Sequence, residues 1–505
     1  MVRPERHVRV RAVEFSPERL DTGFYARAYF DTREAIRQSG LKTESLGSVC
    51  EPWQFGAYAL CNHIEWSDAA SGVPYVKAEA LGSPLLNESG LAYVTPATHR
   101  LLEKSQLKPG DIVVSTSGTI GLCAVLPERL GDANSNQDTI KFNPSSAGYD
   151  CHFVAAWVAS APGQVFLNRE AGGAVQQHVY LYNFKRLPLL KVAAEAQRYI
   201  GDKVRQAERL RERARRLEAE FRSAVTVAIP SSSLMAGKTS RVATGELGRN
   251  LNPGAYTPDR RAVRAAIRGA GGRSLDTLAD VESPTTDSYP ATAPYLGLDA
   301  IDSATCGLKP STAGAEAVAG AARLLREGPA LSRLRPYLNK VTYIPPTLAG
   351  GIGSTELLLV RPKAGVDGWF LYGVLKLESS VRQLNPVATG STHPRVDRED
   401  VLDLLVPWRD EHEALGAKLR TAQACYRASA ALTVTATTLV EHLIDGRMTE
   451  AELVAAQKAL EAGDRSADRE ILKALVQGDA PDAKPVIADV DALYALLDGS
   501  EGPDA

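Results

Sequence analysis

The second half of this chain restates the pattern of the first, and that repeat limits what its 505 residues can fold into more than any other feature. The two copies align with an offset that starts near 230 and settles at about 218, as if the first copy carried about a dozen extra residues between Val49 and Val73. Near the start the match is loose: Arg19 to Tyr25 faces Arg249 to Tyr256, and Leu46 to Val49 faces Leu278 to Val281. It then tightens. Val73 to Leu81 corresponds to Ala293 to Ile301, with apolar positions alternating as in a strand. Gly110 to Gly118 sits opposite Gly328 to Pro336, an apolar strand that leaves a turn and ends in a polar or basic loop. Asn136 to Ile140 meets Ser354 to Leu358, and Pro144 meets Pro362. Gly173 to Val179 matches Gly390 to Val396, and each copy then runs into Leu187-Pro188-Leu189-Leu190 or Leu404-Leu405-Val406-Pro407.

Each copy ends in a long helix. The first, about 193 to 227, places Ala207, Ala214 and Phe221 seven apart, with Leu210, Leu217 and Ala224 three positions later, which is a heptad seam. The second, about 411 to 443, repeats the spacing with Leu415, Ala422, Ser429, Ala436 and Leu443, joined by Leu419, Tyr426, Thr433 and Val440. Small residues in both seams permit close approach, so the helices are expected to pack as an antiparallel coiled-coil pair; the plainer alternative is that each covers its own domain. The fold expected is α/β (α+β) with a pseudo-two-fold internal repeat. Its parts are a domain over 1–190, a spacer helix over 191–228, a linker over 229–248, a second domain over 249–408, a second spacer helix over 409–445, and an acidic, helical and partly disordered extension over 446–505. In that extension Thr449-Glu450-Ala451-Glu452 reads as a capping box, and a short apolar helix is expected near Val490 to Leu497.

Composition narrows the function. Apolar residues make up 44%, enough to bury more than one core. The start is charged and no run of 18 apolar residues follows, so a soluble cytoplasmic chain is expected. Cys50, Cys61, Cys123, Cys151, Cys306 and Cys425 are scattered without CxxC pairing, which reads as free thiols rather than a zinc site or a disulfide framework. The net charge of -2 argues weakly against nucleic-acid binding, but arginine is concentrated around 203–222 and 323–335 while the tail is acidic.

In these features the chain resembles the specificity subunits of type I restriction-modification systems over roughly residues 10 to 445. In the second copy Leu331 to Lys340, Gly353-Ser354-Thr355-Glu356 and Thr389-Gly390-Ser391-Thr392-His393-Pro394-Arg395 look like signatures of a target-recognition domain. The first copy departs, with Gly172-Gly173-Ala174-Val175-Gln176-Gln177 in place of the Thr-Gly-Ser-Thr motif, although Ser115 to Ile120 with Gly121 looks like the other common variant. The resemblance implies two tandem target-recognition domains, long helices as spacer and docking surface, and a bipartite, asymmetric DNA target. It also implies two DNA adenine methyltransferase subunits per chain and, through them, restriction or translocase subunits. S-adenosylmethionine and ATP with magnesium would belong to those partners, and no cofactor or metal is expected on this chain.

Base readout pairs Arg or Lys with guanine, Asn or Gln with adenine, and Ser or Thr with either. In the first copy the candidates are Lys77, Ser115, Thr116, Ser117, Thr119, Asn136, Gln137, Gln176, Gln177 and His178; in the second they are Arg333, Arg335, Tyr337, Asn339, Lys340, Ser391, Thr392, His393 and Arg395. Against each stands a structural reading. Arg333 and Arg335 alternate as on the solvated face of a strand. The Ser115 to Thr119 hydroxyls could simply bond a local turn, and Gly390 could serve the shape of its loop. Arg209, Arg211, Arg213, Arg215 and Arg216 read as a solvated helix face or partner surface, with contact to the DNA backbone as the alternative.

No phosphate loop, dinucleotide fingerprint, metal spacing or nucleophile elbow is present, so a non-catalytic subunit is expected. Arg268 to Arg273 is glycine-rich without GxxxxGK, and Asn252 to Tyr256 lacks the second proline of the amino-methyltransferase motif. Two other classes fit the same residues: an orphan specificity-like subunit of another phage-defence complex, and an adaptor that binds protein rather than DNA.

Overall fold

The computed structural model describes residues 15, 19, 21–55, 58–173, 177–228, 241–247, 251–303, 305, 307–308, 314–318, 320–478 and 484–500. It divides into two compact units: Met1–Leu210 together with Arg427–Ala505, and Arg211–Tyr426.

In the first unit, strands Trp53–Gln54, Thr139–Phe142, Ile112–Ser115 and Cys123–Val125 lie side by side in that order. A second sheet orders Ala92–Val94, Val73–Val76, Ala133–Ser135 and Gln106–Leu107, with Val73–Val76 and Ala133–Ser135 parallel. Val76, Leu107, Val113, Ala124 and Ala133 meet in one apolar cluster. Helix Cys151–Ala159 is apolar apart from His152 and is buried from Phe153 to Val158, as a helix with almost no polar face must be. Asp150 caps it, accepting from the amides of His152 at 2.9 Å and Phe153 at 3.1 Å. Strand Lys42–Ser45 pairs with Pro188–Lys191 at the entry to the long helix.

The second unit uses the same plan. Ala279–Glu282, Leu357–Pro362, Gly328–Ser332 and Val341–Ile344 form the counterpart of the first sheet. Tyr295–Leu296, Ile352–Gly353 and Ala322–Leu324 form the counterpart of the second, again with its one parallel pair. The copies differ at an edge: Ala92–Val94 extends this sheet beside Val73–Val76, whereas Thr285–Thr286 extends it beside Ala322–Leu324. Asp367 caps helix Gly368–Leu375 as Asp150 caps its counterpart. The strand thought to carry Arg333 and Arg335 ends at Ser332. Arg335 turns left-handed at φ 49°, ahead of Pro336, which has no amide to continue a ladder. The glycine-rich Arg268 to Arg273 spans the end of helix Pro258–Gly269 and the turn into strand Arg273–Ser274, with Gly271 left-handed at φ 79°.

The long helices run over Ala194–Val225 and His412–Asp445. Each grips the cap of its own repeat in the same way. Gly201 and Arg205 meet Asp150, whose amide donates to Gln197 Oε1 at 2.9 Å. Gly416 and Arg420 meet Asp367, whose amide faces His412 Nδ1 at 3.4 Å. A methyl group on either glycine would overlap the aspartate, so these positions set how closely helix and cap approach. Of the seam residues, Ala207, Leu210, Ala214, Phe221, Leu415, Leu419, Ala422, Ser429, Ala436 and Leu443 are buried, while Leu217 and Tyr426 are half-buried. Within the second unit Tyr426 bonds Glu218 at 3.1 Å, Lys418 pairs with Glu220, and Arg409 donates to the Ala224 carbonyl at 2.9 Å. Partner numbers rise as the others fall, so these segments are antiparallel.

Beyond the second long helix lie helices Glu450–Glu461, Ser466–Ala474 and Val490–Asp498. The capping box forms: Thr449 Oγ1 accepts from the Glu452 amide, and the Thr449 amide donates to the Glu452 carboxylate at 2.7 Å. These helices seat on the start of the first long helix. Asp468 accepts from Lys203 Nζ at 2.5 Å, from the Tyr199 hydroxyl at 2.6 Å, and from Tyr494. Lys203 and Asp468 are 1% and 2% exposed.

One residue breaks the repeat inside the core. Lys141 pairs across its sheet with Val113, as Leu359 pairs with Ala330. It is fully buried, and its ammonium has no hydrogen-bond partner. Cys50, Cys123, Cys151 and Cys425 are free thiols, with Cys123 and Cys425 buried. Among the described residues no helix is long and apolar enough to cross a membrane.

Candidate nucleic-acid interface

Both units build the same pair of loops at the end of the same strand. In the first, Gly172 and His178 exchange backbone bonds of 2.9 and 2.8 Å, and His178 bridges to Ser117 while the Val179 amide bonds Thr116. In the second, Thr389 and Arg395 exchange two bonds of 2.8 Å, Arg395 bridges to Leu334, and the Val396 amide bonds Arg333. Gly173 at φ 123° and Gly390 at φ 108° occupy the matching corner, where a side chain would strain the turn.

The side chains on this shared frame differ. In the first unit Ser115 and Thr116 point inward: Ser115 Oγ donates to the Thr119 carbonyl at 2.6 Å and accepts from the Leu122 amide, and Thr116 Oγ1 donates to the Asp138 carbonyl at 3.0 Å. They build the loop and do not present it. Ser117 Oγ and His178 Nδ1 are hydrogen-bonded at 2.5 Å, and burial holds the imidazole below its usual pKa, so it is neutral at pH 7. Thr119 and Gln177 are exposed, and Asn136 bonds the Asp138 carboxylate at 3.1 Å. Gln137 is half-buried with its carbonyl bonded by Gln54. Lys77 lies over the ring of Trp66 at 4.6 Å, and Trp66 is exposed. Gln176 falls outside the described residues.

The second unit is organised around a carboxylate outside the candidate base-reading residues. Glu356 takes a two-pronged bond from Arg395, with Nη2 at 2.6 Å and Nε at 3.0 Å, and lies 3.7 Å from Arg333, which also faces Asp397 at 3.5 Å. Arg395 is therefore fixed and largely neutralised, a supporting position more than a reading one. Arg335 has no such partner: Nη2 reaches the Thr392 carbonyl at 3.4 Å and its buried Nε is unpaired. Tyr337 is 52% exposed beside it. Asn339, also left-handed at φ 48°, donates to the Lys376 carbonyl, and Lys340 donates to the Ile301 carbonyl at 2.6 Å. Ser391, Thr392 and His393 are exposed at the tip. Arg323, counted with the basic region, is buried and directs its donors to the carbonyls of Leu357 and Thr355.

No family model and no curated protein matches this chain. Solved structures do. They are type I specificity subunits. The S subunit from M. genitalium covers 81% of this chain and 96% of its own length at 12% identity and a TM-score of 0.39. The HsdS subunit from Thermoanaerobacter tengcongensis covers 81% and 97% at 15% identity and a TM-score of 0.25. A structure bearing on complex assembly and conformational transition of the type I restriction-modification system covers 81% and 98% at 14% identity and a TM-score of 0.28. Among the described residues, no group of three or more His, Cys, Asp or Glu side chains is placed to hold a metal ion.

Proposed function

We propose that this chain is the specificity subunit of a type I restriction-modification complex, a non-catalytic cytoplasmic protein that reads a bipartite, asymmetric DNA target. The observation that carries the reading is the loop pair built twice on the same backbone with different side chains: Ser117 with His178 in one copy, Arg335 beside Arg395 and Glu356 in the other. Two like frames with unlike side chains are what reading two different half-sites requires. The long helices serve as an antiparallel coiled-coil spacer and docking surface for DNA adenine methyltransferase subunits, two per chain, and through them for restriction or translocase subunits. S-adenosylmethionine, ATP and magnesium belong to those partners.

The test is to co-express the chain with its neighbouring methyltransferase and map methylated adenines in host DNA. A single gapped two-part motif that disappears when this chain is omitted is the expected result. A stable complex that methylates nothing favours the orphan subunit, and no complex with the methyltransferase favours the adaptor.

Arg335→Gly separates reading from folding. The left-handed turn is easier for glycine, and that relief is offset by glycine's greater freedom when unfolded, so stability should stay within about 1 kcal/mol of the parent. Losing the guanidinium should cost the complex about 1–3 kcal/mol in affinity for the mapped motif. Retained affinity in titrations of the purified complex would remove Arg335 from the interface.

A further inference from the structure

Next to the Ser117–His178 contact, the first unit carries a row of exposed rings that the candidate residues do not include. Tyr180 and Tyr182 are 53% and 63% exposed. The Tyr180 ring meets His178 edge-on, with centroids 4.9 Å apart, and stacks beside Tyr182 at 6.3 Å with the planes 20° apart. The guanidinium of the exposed Arg186 lies 5.8 Å from the Tyr182 centroid. Among the described residues neither phenol hydroxyl makes a hydrogen bond and Arg186 makes no ion pair. Folding gives little reason to leave two large rings and an unpaired cation in solvent on one strip, since burying such rings is a main source of stability.

The second unit shows that the scaffold does not need them. Its loop pair places Asp397 where Tyr180 stands, Glu399 where Tyr182 stands and Asp403 where Arg186 stands, following the match of His178 with Arg395 and of Leu187 with Leu404. Asp397 faces Arg333, and Asp403 bonds Arg260 and Arg264. One copy thus has rings and an unpaired cation on this strip, and the other has carboxylates, two of them held by arginines of their own unit.

We propose that Tyr180, Tyr182 and Arg186 contact the sugar-phosphate backbone of duplex DNA, extending the first reading loop along one strand and giving the first half-site a grip the second lacks. This rests on the specificity reading above. The rings supply flat apolar faces for deoxyribose, and the two hydroxyls and the guanidinium supply donors for phosphate oxygens, the mix that positions a protein on DNA without reading sequence. Charge favours that occupant over an apolar protein surface, because Arg186 has no carboxylate partner, and the strip continues directly from His178.

The test uses the full chain in complex with its methyltransferase, with duplexes that carry the mapped motif and duplexes that do not. Tyr180→Ala with Tyr182→Ala should weaken both duplexes by roughly tenfold, with the methylated motif and the melting temperature unchanged. Arg186→Gln should lower the slope of log affinity against log salt by about one phosphate's worth. Affinities within twofold of the parent and an unchanged salt slope would overturn the proposal, as would loss of the methyltransferase with DNA binding intact, which would make the strip a protein-docking surface. If the parent complex itself shows no preference for any duplex, the specificity reading fails first.

Discussion

Replacing Lys141 with methionine is expected to stabilise this protein. The side chain sits where the other repeat has Leu359, is fully buried, and leaves its ammonium without a hydrogen-bond partner. Burial pushes its pKa down from 10.5 to about 7, and Asp111 offsets only part of that. The unfolded chain therefore keeps the proton up to about pH 10.5, while the folded chain releases it near pH 7. Between those values the unfolded state binds more protons, so the parent gains stability as pH rises. Methionine fills similar volume without a charge to desolvate. The gain should be on the order of 2–4 kcal/mol at pH 7 and below, and should fade toward pH 10. Urea denaturation of both proteins across that range checks it, and parallel stability curves would show that the ammonium is hydrated or paired in solution.

The opposite result is expected at Asp468. Alanine there removes the acceptor of Lys203, Tyr199 and Tyr494 together, leaving an ammonium that is 1% exposed with no counter-charge. Breaking one side of such a pair costs about 3–5 kcal/mol, whereas replacing both partners by apolar groups is often neutral. Asp468→Ala should therefore lower the melting temperature and open the helices over 450–498 to hydrogen exchange, and Lys203→Met in the same chain should restore most of the loss. Burial by itself would raise the Asp468 pKa, but Lys203 and the two tyrosine hydroxyls outweigh it and hold the group below 3.8. Its contribution is thus complete above about pH 4 and falls away as pH drops through the depressed value. A single variant that melts like the parent would mean that the C-terminal helices contribute nothing to the first unit.

The repeat was legible in the sequence because each copy must satisfy the same backbone at the same corners. Gly173 and Gly390 and the strands from Ile112 and Gly328 answer to local geometry that one residue or a short alternation reveals. The long helices were legible for a similar reason, since a heptad seam is periodic. The rest depended on partners distant in sequence. Nothing near Lys203 announces that Asp468 will neutralise it, and a lysine in the run Thr139-Ile140-Lys141-Phe142 reads as the polar side of a strand until both of its faces are covered. Glu356 lies inside the Gly353-Ser354-Thr355-Glu356 motif, yet its hold on Arg395 comes from a loop that returns 39 residues later. Tyr180 and Tyr182 carry no signal in the sequence because two rings at the entry to a helix of one turn, Leu181–Phe184, show no period; only their exposure marks them.

The seating of the C-terminal helices on the first long helix also sets the order in which the protein can be made. Tyr199 and Lys203 leave the ribosome long before Asp468, which follows Lys203 by 265 positions, roughly 10–50 s of synthesis at about 5–20 residues per second. During that interval the nascent first repeat carries an uncovered lysine among apolar side chains, a surface for chaperones or proteases. A stop codon that falls after the second long helix makes this interval permanent. Late truncation would then cost a cell the protein through turnover of the finished chain, with both loop pairs intact.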